Sequence, residues 1–547
     1  MLKMLVFARL SFPSVLIRLV VSTASFLAVS TIHATPSLIC VDPLVKVLRD
    51  TTNLPTISAE AHVATGEFGS FQFVFRSPVA VTNLRARVSG LGGAQVRFVG
   101  YVKVGTSYTT APSDILISAD RMFPDPLLEE RIIAVAANQN QPIWITIFAR
   151  SPGIYRGRLR LRWSGGELRQ PFTIRVHNVR MKRPRLWVTN WWFDQADRLS
   201  MLAGHEIERF SAEYWQLVRR IADYMAAYHQ NVALISALDL AQISRQGGQW
   251  TFDFSRFDKT VRAFIAAGVI GRIEGGHIGK RASKDWKSPF VVRVPDGHGN
   301  STNLPPTAPE AQAFYRQFFP ALARHLKARG WDKIYSQHLA DEPINENAAS
   351  YREIAHLLHE TAPGIRVIEA TQTPELAGAV NTWVPVLHHF HRDYDFLRER
   401  QQAGDEVWFY TCCGPTGEYA NRFIELPLIK PRLLHWINFR YGATGYLHWG
   451  FNYWNPSTSP FDETRFRWPG GDQWIVYPKY GKLLSSIRLE AMRDGIADYE
   501  LLSMLAERDP VLAQKLAAET ILDFDRYDTD IVRFRARRLQ MLEALAN

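Results

Sequence analysis

Cysteine is scarce in this chain, with only Cys40, Cys412 and Cys413 among 547 residues. Three thiols cannot build a disulfide framework, and by themselves they cannot supply the four ligands of a structural zinc site. We interpret the adjacent Cys412 and Cys413 as two buried thiols, and a strained oxidised ring between them is the alternative. Stability must therefore come from ordinary cores, which a composition of 46% hydrophobic and 21% charged residues can supply.

Long apolar runs are missing except near the N-terminus. There, three basic residues precede the apolar stretch Leu19–Val29, and small residues follow it. The stretch has the length of a signal-peptide core and is too short to span a bilayer. We predict that residues 1–34 are a signal peptide. The mature protein is then expected to be secreted or periplasmic, with no stable membrane insertion.

The chain also has no basic tract and no glycine-rich phosphate loop, although its net charge is +11. The basic residues are dispersed, which is typical of a solvated surface and argues against a nucleic-acid partner. Without a phosphate loop at any predicted strand end, a nucleotide-binding fold is also disfavoured. We predict no metal and no organic cofactor. The sequence does not specify an oligomeric state.

Aromatic residues, in contrast, are plentiful: they make up 12% of the chain, with 16 Trp and 19 Tyr. Many of these rings must fill hydrophobic cores. Large amphipathic rings are also what sugar-binding clefts use, because a pyranose presents an apolar C–H face and a polar rim. The composition is therefore compatible with a protein that binds carbohydrate.

Residues 38–180 show short runs of alternating polar and apolar residues, separated by Gly, Pro and Ser turns. This pattern predicts an N-terminal β-sandwich domain. Met181–Pro184 is interpreted as the linker that follows it. The clearest predicted strands are Ser70–Arg76, Ala94–Val104, Pro142–Phe148 and Gly157–Trp163.

Residues 186–510 alternate between strand-like and helix-like segments. Eight such alternations over roughly 300 residues predict a (β/α)8 barrel of the TIM type rather than an open doubly wound sheet. Residues 511–547 are predicted to form a helical C-terminal tail. The predicted barrel strands are Leu186–Asn190, Asn231–Ser236, Arg272–Gly276, Lys333–Ala340, Arg366–Ala370, Asn381–Val386, Glu406–Thr411 and Gly445–Gly450. The predicted helices are Ser211–Tyr228, Phe257–Ala267, Pro309–Arg329, Ala348–Glu360, Tyr394–Gln402, Leu428–Tyr441 and Tyr480–Leu505, with an irregular fifth connection at Pro374–Gly378.

The sequence Asp341-Glu342-Pro343 follows the fourth predicted strand directly. Proline cannot donate to a sheet ladder, so the strand is expected to stop there and to present both carboxylates. Chemistry in such barrels occurs at the C-terminal ends of the strands. Two neighbouring carboxylates in different environments can divide acid and orienting roles. An exposed loop start is the commoner explanation for such a triplet, so the surrounding residues must decide.

Polar and aromatic residues lie at several other predicted strand ends, and we predict that they converge on one rim. Each has a structural alternative: a lone histidine is often a satisfied core residue, and a tryptophan often fills a barrel. His229 and Asn231 flank the start of the second strand and are interpreted as structural. The predicted substrate-binding residues are Trp191, Glu274, His277, His338, Trp383, Tyr410, His448, Trp449, Asn452 and Tyr453.

Five motifs together resemble glycoside hydrolase family 123 and the wider group of proteins that share its catalytic domain. Gly66–Gln72 resembles the opening of that family's N-terminal domain, and Asp341-Glu342-Pro343 matches its tandem acidic pair. Glu406–Cys413 and Gly445–Gly450 resemble its late barrel strands, while Arg488–Glu500 is the most specific stretch. The resemblance covers nearly the whole mature chain.

The resemblance implies a retaining, exo-acting β-N-acetylgalactosaminidase that works by substrate assistance without a cofactor. Glu342 is then the general acid and base, and Asp341 orients the acetamido group of a terminal N-acetylhexosamine on a glycolipid or an oligosaccharide. One alternative is a glycosidase of another specificity, in which Glu342 is the acid and a distant carboxylate such as Glu274 is the nucleophile. The other is a glycan-binding protein without catalytic activity.

Overall fold

The structure, a computed structural model, describes residues 35–105, 114–462 and 468–546. The predicted signal peptide at residues 1–34 lies outside these ranges and stays a prediction. Pro36–Asn547 forms one compact unit. None of the helices in the described ranges combines the length and the apolar character that a membrane crossing requires.

In the part of the N-terminal region that the structure describes, ten strands form two five-stranded sheets. The first has the order β1-β3-β8-β5-β6, and the second has the order β2-β10-β9-β4-β7. The strands are β1 (Ser37–Val41), β2 (Glu60–Thr65), β3 (Phe68–Arg76), β4 (Val81–Ser89), β5 (Gln95–Lys103), β6 (Met122–Leu128), β7 (Ile133–Val135), β8 (Asn140–Phe148), β9 (Gly153–Trp163) and β10 (Gly166–Arg180).

The two sheets share one hydrophobic core. Alternate residues of β3, Phe71 and Phe73 among them, are buried in it together with Leu159 and Leu161 of β9. Across the core, the rings of Phe71 and Phe172 pack with their centroids 4.8 Å apart. Because side chains alternate between the faces of a strand, this packing requires the two-residue period seen in the sequence. The predicted strand-rich region is confirmed.

Within the described ranges, fifteen further strands and twelve α-helices follow. The strands are β11 (Trp187–Asn190), β12 (Val232–Leu234), β13 (Gln242–Gln246), β14 (Gln249–Asp253), β15 (Arg272–Gly275), β16 (Gly279–Arg281), β17 (Phe290–Pro295), β18 (Ser301–Leu304), β19 (Tyr335–Gln337), β20 (Arg366–Glu369), β21 (Thr382–Trp383), β22 (Glu406–Thr411), β23 (Gly445–His448), β24 (Tyr477–Lys479) and β25 (Lys482–Leu484). The helices are α1 (Ala196–Ala203), α2 (Ala212–Ala227), α3 (Ala237–Leu240), α4 (Ser255–Ala267), α5 (Pro309–Arg329), α6 (Ala348–Thr361), α7 (Leu387–Arg392), α8 (Tyr394–Gln402), α9 (Ile429–Tyr441), α10 (Ile487–Arg508), α11 (Pro510–Thr520) and α12 (Ile531–Ala546).

Eight of these strands form one parallel sheet in the order β11-β23-β22-β21-β20-β19-β15-β12, which curls into a nearly closed barrel. Each lies where a strand was predicted, but most are shorter. The prediction of a strand from Lys333 to Ala340 was too long, because β19 ends at Gln337. Beyond it, the peptide N–H groups of Leu339 and Ala340 donate to the carboxylate of Glu369 instead of to a neighbouring strand.

The seam between β11 and β12 is closed largely by side chains. The Oδ1 atom of Asn231 accepts from the N–H of Val188 at 2.8 Å, and its Nδ2 atom donates to the carbonyl of Leu186 at 2.9 Å. The Oε1 atom of Gln230 accepts from the N–H of Asn190 at 3.2 Å. These amides replace missing ladder bonds, so Asn231 has a structural role, as the sequence indicated.

One predicted helix begins in the wrong place. Tyr480–Leu505 was predicted as helix, but the chain first makes the hairpin of β24 and β25, and α10 begins at Ile487. Tyr480 and Gly481 both adopt left-handed φ values, +45° and +77°, which form a tight hairpin turn. The side chain of Ser486 then caps α10 by accepting from the N–H of Leu489. The predicted irregular connection is a short 3-10 helix at Pro374–Leu376.

Helix α10, which carries the motif Arg488–Glu500, packs against the N-terminal sheets through buried ion pairs. Arg488 donates to both carboxylate oxygens of Asp125 in β6 at 2.8 Å. Glu490 accepts from Arg97 of β5 at 3.0 Å. This motif therefore joins the barrel to the N-terminal sheets.

Candidate active site

Asp341 and Glu342 lie at the C-terminal end of the barrel strands, just after β19. The Asp341 side chain is 53% exposed, while Glu342 is half-buried and has a left-handed φ of +49°. Left-handed backbone is unfavourable for a residue with a β-carbon and is common at functional sites. Arg281 holds this turn by donating to the carbonyl oxygens of Asp341 at 3.1 Å and Glu342 at 2.7 Å.

The carboxyl group of Glu342 is adapted to hold a proton near neutral pH. Burial raises its pKa to about 7, and the negative charge of Asp341 adds to the shift. Hydrogen bonds from Tyr410 and Gln372 and the charge of Arg281 act in the opposite direction. The Tyr410 hydroxyl donates to Glu342 Oε1. A group with such a pKa can both give and take a proton, as a general acid and base must.

Glu369, at the end of β20, is a buried carboxylate that organises the backbone before the acidic pair. Its Oε2 atom accepts from the N–H groups of Leu339 at 2.8 Å and Ala340 at 3.0 Å. The same oxygen accepts from the Tyr351 hydroxyl at 3.1 Å. The two peptide N–H groups draw the chain out of the strand before Asp341, and the Tyr351 hydroxyl holds the carboxylate that binds them.

The other oxygen of Glu369 contacts two histidines. Oε1 lies 3.0 Å from His277 Nε2 and 2.9 Å from His338 Nδ1. Burial would lower the pKa of His338, but Glu369 and Glu274 raise it to about 10. Burial likewise would raise the pKa of Glu369, yet His277 and His338 lower it to about 2. His277 Nε2 is also 3.8 Å from Asp341 Oδ1, which connects this network to the acidic pair.

His277, His338 and Glu369 are close enough together to suggest a metal site, with donor atoms within 4.8 Å of one another. The hydrogen bonds favour another interpretation. A protonated His338 has no lone pair to offer, and both oxygens of Glu369 already accept from several donors. The donor set therefore fits a hydrogen-bonded network better than a metal centre.

The acidic pair opens into a cavity of about 1210 Å³. The structure brings several of the predicted residues together on its wall. These residues come from different strands, and the C-terminal ends of barrel strands meet on one face. Their side chains therefore lie on one rim. The predicted residues that line the cavity are Trp191, His277, Asp341, Glu342, Tyr410, Trp449 and Tyr453.

Four predicted residues lie behind the wall instead of on it: Glu274, His448, Asn452 and the buried His338, whose contact with Glu369 is described above. Glu274, buried, accepts from Trp191 Nε1 at 2.7 Å, and its Oε2 atom is 3.7 Å from His338 Nε2. His448, also buried, accepts from the N–H of Gly450 at 3.0 Å. The side-chain amide of Asn452 pairs with both backbone groups of Phe193. These residues support the rings of the wall and do not themselves face the cavity.

The structure does not bring Trp383 to the cavity, so placing it among the substrate-binding residues was wrong. Its indole is buried on the outside of the barrel, where Nε1 donates to Asp405 Oδ2 at 3.0 Å and the ring packs against Phe396 of α8. Side chains alternate along a strand, and in the two-residue β21 this position points outward. Sequence reasoning identified the strand correctly but not the side of the sheet.

Several residues of the site were not predicted. Glu369 could have been found from the sequence, because it is an acidic residue next to the end of the fifth predicted strand, Arg366–Ala370. Arg281 and Trp286, from the insertion after β15, had none, since nothing in the sequence places that insertion beside Asp341. Asp472 on the cavity wall was also missed. It is buried, which raises its pKa to about 7, and Trp449 Nε1 lies 3.2 Å from both of its oxygens.

Cys412 and Cys413 also line the cavity, next to Tyr410. Both are free thiols, with their sulfur atoms 3.9 Å apart. They are half-buried, not fully buried as interpreted from the sequence.

Comparison with known families identifies the class of protein that this fold and site define. The family described as "Glycoside hydrolase 123, catalytic domain" matches residues 195–505, which is more than half of the chain. The chain therefore belongs to glycoside hydrolase family 123 and is a glycoside hydrolase. The predicted resemblance is confirmed. A comparison with curated protein sequences finds no match.

Solved structures agree with this assignment at the level of the fold. A family 123 glycoside hydrolase from Clostridium perfringens, described in connection with glycolipid glycan hydrolysis, superposes with a TM-score of 0.72. The match covers 94% of this chain and 97% of that chain at 15% identity. A β-glucuronidase from Parabacteroides merdae matches at 11% identity over 82% of this chain and 50% of that chain. Its TM-score of 0.29 is too low to indicate a shared fold.

Proposed function

We propose that this protein is a retaining, exo-acting β-N-acetylhexosaminidase that prefers N-acetylgalactosamine and uses the substrate's own acetamido group as nucleophile. One observation carries the proposal: two adjacent carboxyl groups occupy opposite environments on one cavity wall. Glu342 is held by Tyr410 with a pKa near 7, and Asp341 is exposed to the cavity. That contrast matches one acid–base group and one group that orients the substrate.

In the first step, the acetamido oxygen attacks the anomeric carbon while the bond to the leaving oxygen breaks. Glu342 gives its proton to that oxygen, so the aglycone departs as a neutral alcohol. Asp341 accepts the amide N–H and balances the positive charge that develops on the oxazolinium ring. In the second step, water attacks the anomeric carbon from the opposite face and loses its proton to Glu342. The ring reopens, and two inversions give net retention.

The rival mechanism needs a second carboxylate within reach of the anomeric carbon. Glu274, the candidate from the sequence, is buried behind Trp191 and hydrogen-bonded to its indole. The other carboxylates of the wall are already engaged. Asp194 pairs with Arg209, Asp239 pairs with Arg293, and the buried Asp472 accepts from Trp449 Nε1. This arrangement favours substrate assistance over a direct carboxylate nucleophile.

The substrate class is part of the proposal. A terminal N-acetylhexosamine of a glycolipid or an oligosaccharide fits an open cavity of this size, and the Clostridium perfringens protein is described as acting on glycolipid glycans. We also propose that the enzyme is exported by its N-terminal segment. For the fold, we propose that the two-sheet region is a β-sandwich domain and that the parallel sheet is a (β/α)8 barrel.

The test compares aryl β-glycosides of N-acetylgalactosamine, N-acetylglucosamine and galactose, together with a thiazoline analogue of N-acetylgalactosamine. The native protein should cleave the acetamido sugars but not the galactoside, and the thiazoline should inhibit it far better than galactose does. Asp341→Asn should lose turnover and most of this preference for the thiazoline.

Asp332→Asn is the matched control for this test. Asp332 precedes β19 and therefore lies at the end of the barrel opposite the acidic pair. Its replacement should change neither turnover nor inhibition. Cleavage of the galactoside at a comparable rate, or an Asp341→Asn variant with intact turnover, would contradict substrate assistance.

A further inference from the structure

The outer face of the second N-terminal sheet carries a dense group of arginines, which we call the arginine face. Leu159 and Leu161 of β9 point into the core, so the residues that alternate with them point outward. Strands β4 and β10 lie on either side of β9 and present arginines on the same face. The arginine face consists of Arg85, Arg87, Arg156, Arg158, Arg160, Arg162, Arg169 and Arg175.

The fold places several of these arginines directly opposite one another. Arg162 of β9 is paired with Arg85 of β4, and Arg160 lies between Arg87 of β4 and Arg169 of β10. Like charges at directly opposed positions destabilise a sheet. The arrangement therefore lowers the stability of the folded protein, and a function for the charge accounts for it better than folding does.

Two carboxylates offset only part of this charge. Glu167 accepts from Arg160 at 2.7 Å and also binds Arg169, while Glu60 of β2 binds Arg175. Four exposed arginines of the face have no hydrogen bond or ion pair with any residue that the structure describes. They are Arg85, Arg87, Arg156 and Arg158.

The chemistry and the shape of the arginine face both indicate a particular kind of ligand. A guanidinium presents a planar fork of N–H donors, which fits a carboxylate or a similar oxyanion through two parallel hydrogen bonds. The four arginines of β9 are two residues apart, so they repeat every ~7 Å along the strand. With the neighbouring strands, they form a strip roughly 20 Å long and roughly 10 Å wide.

We propose that the arginine face binds a linear acidic polysaccharide, whose carboxylate or sulfate groups lie along the strip. A strip matches one extended polymer, whereas peripheral binding to a bilayer is strengthened by apolar side chains that enter it. From Arg156 to Arg162 every outward position of β9 is an arginine. This row therefore offers neither an apolar anchor nor the aromatic rings on which single-stranded nucleic acids stack.

The test measures binding of the full chain to dextran sulfate, to polygalacturonate and to neutral dextran by titration calorimetry at increasing NaCl concentration. The protein should bind at least one acidic chain, which identifies the anionic group, and should not bind dextran. Affinity should fall as salt rises, because binding releases counterions.

The variant Arg156→Gln/Arg158→Gln removes two unpaired cations from the row. It should weaken binding of the acidic chain by on the order of tenfold and should flatten its salt dependence. Its melting temperature should not fall, because the two arginines have no partner to lose and their mutual repulsion disappears. Glu167→Gln, which removes an acid from the face, should bind the same chain more tightly.

The matched control is Arg219→Gln/Arg324→Gln, which removes the same charge from exposed positions of α2 and α5. It should bind like the native protein. Equal losses in the two double variants would show that only net charge matters and would overturn the proposal. Failure to bind either acidic chain would also overturn it, as would tighter binding to duplex DNA or to phosphatidylserine-containing vesicles. This binding does not depend on glycosidase activity, so the proposed function and this inference fail separately.

Discussion

Asp341 and Glu342 are adjacent in the sequence but differ in their exposure to solvent and in their hydrogen-bond partners. Both line the cavity, but the Asp341 side chain is exposed, whereas Glu342 has a left-handed φ and lies half-buried against Tyr410. The sequence alone predicted that these two residues form the centre of the site, because they follow a predicted barrel strand and polar and aromatic residues lie at the other strand ends. It could not predict which neighbours would tune them, since Tyr410 is 68 residues from Glu342 along the chain.

The Tyr410 hydroxyl stabilises the ionised form of Glu342, so its removal has a defined consequence for pH dependence. The acid must be protonated to act, and kcat/KM of the native enzyme should fall as pH rises through about 7. Tyr410→Phe should raise the pKa of Glu342 and move this alkaline limb upward, by on the order of one pH unit. Asp341→Asn removes a negative charge that raises the pKa of Glu342. The alkaline limb of this variant's remaining activity should therefore move to lower pH.

Tyr453→Phe serves as the control for the pH measurement. Tyr453 also lines the cavity but makes no contact with Glu342, so its replacement should leave the position of the limb unchanged. A limb that stays in place in Tyr410→Phe would exclude Glu342 as the group that titrates.

Replacing Glu342 itself tests its role in proton transfer. Glu342→Gln keeps the shape and removes the titrating group, which typically costs ~10²–10⁴ in rate. The loss should be greatest with leaving groups of high pKa and should shrink for nitrophenolates, which need little protonation. If the rate depends on leaving-group pKa with the same slope in the native enzyme and in Glu342→Gln, Glu342 is not the group that protonates the leaving oxygen.

Glu369 is expected to matter for stability as well as for the site. Glu369→Gln removes the charge that His277 and the buried His338 face, and loss of one partner of a buried pair costs roughly 3–5 kcal/mol. The folded pKa near 2 is below the ordinary value of 4.5, so this contribution is present above about pH 4.5 and disappears as pH falls toward 2. Urea unfolding at pH 7 and pH 3 measures both effects.

The control here is Glu375→Gln, an exposed carboxylate in the following 3-10 helix. It should change the unfolding free energy by less than about 0.5 kcal/mol. A Glu369→Gln variant that is equally harmless at pH 7 would contradict a stabilising role for this carboxylate.

Among the elements, the eight barrel strands were predictable in position and the insertions were not. Apolar runs such as Glu406–Thr411 are buried on both faces, and that pattern is strong in the sequence. The early end of β19 was not predictable, because it depends on Glu369 capturing two peptide N–H groups from another strand. The outward direction of Trp383 likewise depends on the register of a two-residue strand.

The amide seam of the barrel gives a prediction at the level of elements. Asn231→Ala should leave the N–H of Val188 and the carbonyl of Leu186 without partners, at a cost of roughly 1–3 kcal/mol in unfolding free energy. Hydrogen exchange should become faster first in β11 and β12. Asn303→Ala, at an exposed position of β18, is the control and should change neither quantity.

At the scale of the whole molecule, the N-terminal sheets and the barrel are joined by charges that no periodicity reveals. The motif Arg488–Glu500 was recognisable as a family marker, but its partners Asp125 and Arg97 lie more than 350 residues away along the chain. Contacts of that kind follow from the three-dimensional packing and not from local pattern. The sequence predicted a strand-rich region followed by a barrel. It did not predict which residues join the two regions.

The buried pair of Arg488 and Asp125 makes the two regions depend on each other. Arg488→Met leaves the Asp125 carboxylate buried with Tyr477 as its remaining side-chain partner, and should cost roughly 3–5 kcal/mol. Tryptophan fluorescence and far-ultraviolet circular dichroism should still report one coincident transition. Arg508→Met, at the exposed end of the same helix, should leave the midpoint unchanged. Two separate transitions in the native protein would contradict this coupling.

The last helix has a consequence for how the protein is made. Arg535 of α12 binds Asp42, which is 493 residues earlier, and Arg538 binds Glu67. A ribosome adding ~5–20 residues per second needs about 25–100 s to travel between the members of the first pair. Throughout that interval the first sheets carry two acidic side chains whose cationic partners do not yet exist. Nascent chains stopped before Ile531 should therefore remain open to protease across the N-terminal sheets, and resistance should appear only when the final helix emerges.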